Sequence, residues 1–280
     1  MSTFLTTTSS SRPSSPNSGD VYFETDTKNV IIWDGTNWRG YQNDGFSGWS
    51  GSNTYSMNFD GTDDRLNIAS GVTTSAQAGT VSAWIKTSST STTEVFCQSD
   101  TADTSNTTYL FLSIESGGRP RIGWRNGSST ITKRGSTAVN DGNWHHVVYI
   151  STGTAWKIYV DGTDEGALIT VAGTASEGGW YADLSAIDAC RIGCQERNVG
   201  TGAFFNGNID EVAVWDSSLS ASQITNIYKG ESNGGSGGTN GTPGNLLSFN
   251  PNHWWRMGDG LEANSGTTVY DMSLNNVNAT

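Results

Sequence analysis

Positive charge is scarce in this chain. Fifteen Lys and Arg stand against 27 Asp and Glu, a formal net charge of −12. Phosphate contacts need clustered cations, so nucleic acid is not an expected partner, and an anionic membrane surface is disfavoured for the same reason. No apolar run approaches the ~20 residues of a membrane-spanning helix, so membrane insertion is not expected either. The N-terminus, MSTFLTTTSSSRPSSP, lacks the basic start and apolar stretch of a secretory leader. Cysteine is equally sparse. Cys97, Cys190 and Cys194 are an odd number without a regular framework, which argues against a disulfide-built domain. Cys190 and Cys194, placed on one face of a strand, read as buried thiols rather than zinc ligands, because zinc needs more ligands at closer spacing. Histidine occurs only as His145, His146 and His253. No carboxylate sits at a motif spacing from any of them, so they read as structural.

What the chain has in quantity is Gly, Ser, Thr and aromatic residues, with 35 Gly and 11 Trp. That composition suits short strands and many turns. The stretch DGNWHHVVYISTGTAWKIYVDG, Asp141 to Gly162, shows the pattern most clearly. Trp144, His146, Val148 and Ile150 alternate with His145, Val147 and Tyr149, and Trp156, Ile158 and Val160 resume after a short polar break. Period-two alternation of β-branched and aromatic residues predicts a hairpin with apolar groups on both faces, hence a strand pair inside a layered β structure. Asn126-Gly127 between two strand-like runs is the sharpest hairpin turn. One helix is predicted, with Ser220 as N-cap, Gln223 completing a capping box, Ile224 and Ile227 on its apolar edge and Gly230 ending it.

W-H-H-V-V followed by a strand ending Y-V-D-G resembles the laminin-G-like branch of the concanavalin A-like lectin/glucanase superfamily. Asn58-Phe59-Asp60-Gly61, Val81 to Ile85 and Phe205 to Val212 fit the same pattern in the same order. The resemblance covers about residues 55–229. It implies an all-β jelly-roll sandwich of two antiparallel sheets, and it leaves the activity open, because the fold carries lectins, adhesion modules and glycosidases. The retaining glycosidases of the superfamily use two carboxylates on one strand face, usually E-x-D-x-x-E. This sequence has no such triplet, so a non-enzymatic protein is expected.

Residues 1–19 read as an extended Ser/Thr-rich arm that takes order from a partner. Residues 20–48 read as a small β anchoring unit. Its G-D-x-Y-F-x-T-D-T and D-G-x-x-W resemble small β modules near the start of bacteriophage fibre and virion proteins. Together these imply a structural virion protein of a tailed phage, made in the host cytoplasm without a signal peptide. It would display its sandwich at the particle surface as a capsid decoration or fibre, bind other virion proteins through the arm and adhere to host-surface glycans. A homo-oligomer is expected, with a trimer as the working stoichiometry. The alternative is a secreted or surface glycan-binding adhesion module. Residues 49–230 form the expected sandwich and 231–245 a Gly-rich linker. Residues 246–280 carry W-W-R-M, G-D-G and S-G-T-T-V-Y-D, an order resembling the opening segment of the laminin-G-like pattern. They are expected to complete the sandwich as a circularly permuted strand, with Trp254 and Trp255 on opposite faces.

Two candidate sites follow. Trp180 and Tyr181 stand in Gly-rich sequence. They read either as loop aromatics that stack on a glycan or as a lid over the core. The superfamily resemblance implies a structural calcium near the first and last strands, where Asp60 and Asp210 match. Asp60 and Asp63 making a turn through side-chain to backbone bonds is the plainer reading of the same residues.

Overall fold

A computed structural model of the chain describes residues 5–17, 21–24, 29–33, 38–42, 53, 55–68, 72, 76–257, 268–269, 271–273 and 277–280. Residues 25–28 and 34–37 of the expected β unit lie outside these residues. So do 43–52 and the G-D-G and S-G-T parts of the tail.

The chain divides into two compact units, Met1–Ser52 and Asn53–Thr280. In the first, four strands lie in the order β1 (Leu5–Thr7), β2 (Val21–Glu24), β3 (Asn29–Trp33) and β4 (Trp38–Gln42). The last three form an antiparallel meander. Leu5–Thr7 pairs in parallel with Tyr22–Glu24, so this piece of the arm has a neighbouring strand within its own chain.

The second unit is a sandwich of two antiparallel sheets. One sheet runs β14 (Thr163–Asp164), β13 (Trp156–Val160), β12 (Trp144–Ser151), β7 (Gly79–Lys86), β19 (Asn206–Trp215) and β20 (His253–Trp255), with β5 (Met57–Asp60) also on β19. The other runs β15 (Ile169–Gly173), β11 (Ser129–Arg134), β10 (Pro120–Asn126), β9 (Thr108–Ile114), β8 (Thr93–Ser99), β16 (Ala189–Ile192) and β6 (Leu66–Asn67). A short hairpin, β17 (Gln195–Arg197) and β18 (Gly200–Gly202), follows β16.

Alternation decides which side chains enter the core. Val81, Ala83 and Ile85 of β7, Val147 and Tyr149 of β12 and Ile158 and Val160 of β13 meet Leu110, Leu112, Ile114, Ile122 and Ile192 of the facing sheet. Their alternate neighbours Val148, Ile150, Tyr159 and Ala213 point outward. There α1 (Ala221–Tyr228), through Ile224 and Ile227, covers them together with Leu246, Phe249 and Trp254. The helix starts as its sequence requires: the Gln223 amide N–H donates to the Ser220 hydroxyl, and the Ser220 N–H donates to the Gln223 side chain. Gly230 then takes φ +68°, the left-handed conformation that ends a helix without a Cβ clash. The sequence placed Cys190 and Cys194 on one strand face. The strand ends at Ile192, however, and Gly193 (φ +86°) turns the chain, so the two thiols are buried on different segments.

The tail closes the first sheet. Val212 faces Trp255 and Val214 faces His253 across the β19–β20 pair. Trp254 lies in the outer cluster beneath the helix and Trp255 in the core between the sheets. Asp271 fastens this segment. Its carboxylate accepts from His253 Nδ1 (2.7 Å) and from the backbone N–H groups of Trp254, Ser273 and Val277. Burial alone would raise its pKa, but these donors hold it below the usual Asp value.

Losing a buried Trp costs about 3–5 kcal/mol, and native stability is typically about 5–15 kcal/mol. Truncation before residue 246 removes both Trp254 and Trp255, so the truncated chain is expected to lose cooperative thermal unfolding. Calorimetry on the truncated and full chains reads this directly; matching melting curves would contradict the assigned role of the tail.

Candidate functional site

The sequence candidates separate in three dimensions. Trp180 and Tyr181 are 0% and 4% exposed and belong to the main core. This corrects their reading as glycan contacts. The glycines around them serve close packing instead of exposure. A Cβ at Gly79 would lie against the Trp180 indole, and a Cβ at Gly178 (φ +99°) would meet the Thr154 backbone at 2.6–2.7 Å. The rings therefore plug the sandwich, packed on each other at 4.7 Å with a tilt of 47°. Among the described residues the exposed aromatics are Tyr55 (61%) and Trp144 (39%), which flank a cleft of about 270 Å³ with Trp84 and Asp210.

The Asp60–Asp210 calcium pairing is also corrected. Asp60 faces Asn206 in the β5–β19 pair, so Asp210 lies four residues further along, roughly 13 Å away at the rise of an extended strand. Asp60 instead meets Asp63 and Asp64, with carboxylate oxygens from all three within 4.8 Å of one another. Two of those oxygens accept backbone N–H bonds: Asp60 Oδ1 from Thr62 and Asp64 Oδ2 from Asp60. The three carboxylates form a hard-oxygen donor set of the kind calcium takes. Asp210 is 2% exposed and its Oδ1 accepts the Glu211 N–H.

Two of the three histidines have carboxylate partners that no sequence spacing revealed. His145 lies between Asp161 (2.8 Å) and Asp141 (3.2 Å), and its pKa is raised, mainly by the hydrogen bond to Asp161. His253 is bonded to Asp271. His146 is buried against Ser82 (Nε2–Oγ 2.7 Å) and the Trp84 ring, and burial pulls its pKa down to about 4, so it stays neutral. The His145 contacts tie the start of β12 to Asp141 and to the turn at Asp161, and the His253 contact ties the start of β20 to Asp271.

One sheet face is covered by the helix; the other sheet's outer face carries polar and charged groups. Leu110, Leu112 and Ile114 point to the core, so Tyr109, Phe111 and Ser113 point outward. The register places Glu94, Cys97 and Ser99 of β8 opposite Ser113, Phe111 and Tyr109. On the other side Arg121, Gly123 and Arg125 of β10 face the same three residues. Gly123 is required here, because a Cβ would lie inside the Phe111 ring. That ring therefore lies flat on the sheet, stacked with Tyr109 at 5.9 Å.

Two guanidinium groups sit on these rings. Arg121 Cζ is 4.8 Å from the Phe111 centroid, and Arg197, from the β17–β18 hairpin, is 4.3 Å from that of Tyr109. Arg121 Nε also donates to Ser113 Oγ at 3.0 Å, and Arg197 Nη2 to Gln195 Oε1. Cation–π contact fixes each guanidinium without neutralising it. Neighbouring Arg134 and Arg191 are engaged by Glu115 and Glu196. Among the described residues neither Arg121 nor Arg197 has a carboxylate within ion-pair distance. Beneath them lies Glu94, 1% exposed, its Oε1 accepting from Gln195 Nε2 at 3.2 Å. Burial pushes Glu94 up to about 7, against the pull of Arg121 and Arg197.

None of these five groups, Glu94, Tyr109, Phe111, Arg121 and Arg197, was picked out from the sequence. The signal for four of them is the alternation of TEVFCQS, TYLFLSI and PRIGWRN, whose non-core positions carry unusual chemistry for a solvent face. Nothing local signals Arg197.

The family model described as the concanavalin A-like lectin/glucanases superfamily, of laminin G type, matches residues 60–225. The chain belongs to this superfamily. A curated relative, the sushi, von Willebrand factor type A, EGF and pentraxin domain-containing protein 1 of Rattus norvegicus, is 33% identical over 110 residues, 36% of this chain. The match spans only 3% of that protein's length. Among solved structures, the CBM40 module of the Ruminococcus gnavus IT-sialidase is similar at a TM-score of 0.51 and 17% identity, over 63% of this chain and 99% of the module. The same module bound to α2,3-sialyllactose is similar at a TM-score of 0.50 and 16% identity, over 63% of this chain and 99% of that one. At these identities the likeness is one of fold.

Trp180→Ala is expected to destabilise the sandwich by about 3–5 kcal/mol, the range for emptying a buried Trp site. Urea denaturation measures it; a loss within 0.5 kcal/mol, the ordinary range for surface substitutions, would restore Trp180 as a surface contact.

Proposed function

We propose that the sandwich is a non-catalytic glycan-binding module and that the outer face of the β8–β9–β10 sheet takes an acidic sugar. The observation that carries this reading is the pair Arg121 and Arg197, oriented by aromatic rings and without carboxylate partners in a chain of net charge −12. Guanidinium groups bind carboxylates through parallel charge-assisted hydrogen bonds, and pre-set side chains lose less entropy on binding. Sialic acid presents such a carboxylate. The CBM40 fold neighbour supports this ligand class, since one of its structures holds sialyllactose.

None of the relatives reported above is a virion protein. The reading taken is accordingly the adhesion module, and display on a phage particle rests on the N-terminal resemblance. In either setting Met1–Ser52 serves as the separate attachment unit, a role tested by deleting it and measuring incorporation into particles or retention on cells. Calcium, where bound, is held by Asp60, Asp63 and Asp64 without Asp210.

Titration with 3′-sialyllactose, with lactose as the neutral control, tests the binding. Arg121→Ala and Arg197→Ala are each expected to weaken sialyllactose binding by at least about tenfold, the effect of removing one charge-assisted bond, with melting temperature nearly unchanged. No binding by the unmutated protein would refute the acidic-sugar reading. For the metal, calcium is expected to raise the melting temperature of the chelator-treated protein, and Asp63→Asn to remove the rise. An equal rise in the Asp63→Asn variant would place the ion elsewhere.

A further inference from the structure

We propose that Glu94 is a positioning residue that couples ligand binding to proton uptake: its carboxylate balances Arg121 and Arg197 in the free protein and takes a proton from solvent when a ligand carboxylate replaces it. The proposal rests on the acidic-sugar reading above and adds a mechanism to it.

The geometry is a relay on the outer sheet face. Glu94 Oε1 accepts from Gln195 Nε2, and Gln195 Oε1 accepts from Arg197, so one amide joins the acid to one guanidinium. Ser113, directly opposite Glu94 in the β8–β9 pair, accepts from Arg121 Nε and so holds the other guanidinium beside the acid without a bond to it. Glu94 Oε2 and Arg197 Nε are both buried without a hydrogen-bond partner. Buried polar atoms normally have partners, and a carboxyl left with one bonded oxygen is costly to hold ionised in a site closed to water. The Arg side chains are what permits its charge. A ligand carboxylate engaging both guanidinium groups adds a second negative charge beside Glu94 and withdraws that support.

Two like charges sharing one site cannot both ionise cheaply, so one of them takes a proton. The ligand carboxylate bonds directly to the guanidinium groups and reaches solvent, and Glu94 is the more buried, so the proton goes to Glu94. The step balances as ligand carboxylate plus one solvent proton plus ionised Glu94, giving bound carboxylate and neutral Glu94. No bond other than the O–H forms.

The other titratable groups packed against Glu94 do not compete. Cys97 on its own strand and Cys194 after β16 are raised, Cys97 well above its ordinary range and Cys194 to about 11, chiefly by burial. Tyr149 of β12, whose hydroxyl donates to the Ser113 carbonyl, is raised by burial as well. All three stay neutral between pH 5 and 9. Only Glu94 changes charge there. Free Glu94 titrates near 7, so acid favours the ligand-ready form and affinity falls as pH rises through that value.

Calorimetric titration of the full chain with 3′-sialyllactose at pH 7.5, in two buffers of different ionisation enthalpy, counts the protons taken up. The expected value is about 0.8 per ligand, and Kd is expected to rise by about 25-fold from pH 6.5 to 8.5, as a single linked group titrating near 7 requires. Glu94→Gln, which keeps the bond to Gln195 and cannot ionise, is expected to bind at pH 8.5 as tightly as the unmutated protein at pH 6 and to take up no proton. Binding that is flat with pH and takes up no proton in the unmutated protein overturns the proposal and leaves the acidic-sugar site standing. Absence of sialyllactose binding at every pH overturns both. The proton count needs no variant, so it decides the matter even where Glu94→Gln fails to fold.

Discussion

The buried carboxylate of Glu211 is the constraint on which much of the sandwich turns. Glu211 sits at φ +49° where the β19–β7 register shifts between Asp210 and Ala213, so it is the extra residue of a bulge. In a regular strand Asp210 and Glu211 would point to opposite faces and the acid would meet either core or solvent. The bulge turns it toward the tail. Its two oxygens accept from Arg256 Nε (3.1 Å), Asn53 Nδ2 (2.8 Å) and Trp254 Nε1. Burial raises this carboxyl to about 7, against the pull of Arg256 and of the two neutral donors. Removing one partner of such a buried pair costs about 3–5 kcal/mol, because the other charge is left without its counter-ion. One side chain thus joins residue 53, the middle of β19 and the tail, three points far apart in sequence.

That junction bears on which sheet face is free. With β20 held on β19, Trp254 completes an apolar cluster beneath the helix, and the outer face of that sheet is closed. The outer face of the other sheet is overlaid by the β17–β18 hairpin instead of a helix, and its positions hold Tyr109, Phe111, Arg121 and Glu94 instead of aliphatic groups. The division suits a binding module. One face supplies stability through burial. The other carries buried and half-buried charge, which costs stability where it lacks a partner.

Much of the fold is legible in single strands. The hairpin over 144–160, the Asn126-Gly127 turn and the capped helix with Ile224 and Ile227 depend on contacts within about twenty residues, so local pattern specifies them. Tandem tryptophans in an extended segment must point to opposite faces, which also made Trp254 and Trp255 readable as a strand between two clusters. Exposure was not readable in the same way. Gly-rich sequence around Trp180 and Tyr181 suggested a loose loop, whereas Gly178 lets the backbone approach Thr154 closely and the distant Gly79 leaves room for the Trp180 indole, so both rings are sealed in the core. Asp60 and Asp210 likewise seemed equivalent acidic positions until the β5–β19 register separated them by four residues.

Alone, the sequence determined the all-β class, the family pattern, the turn and cap chemistry and the low positive charge, because each depends on neighbouring residues or on composition. Only the tertiary structure brought together the residues of the proposed binding face. Register among β8, β9 and β10 brings Glu94, Phe111 and Arg121 side by side, and a hairpin some seventy residues further on lays Arg197 over Tyr109. Side-chain period two says which residues share a face of one strand, but not which strands are neighbours. Pairing between distant strands is set by packing of the whole core, and the charge that marks this site exists only once that pairing is made.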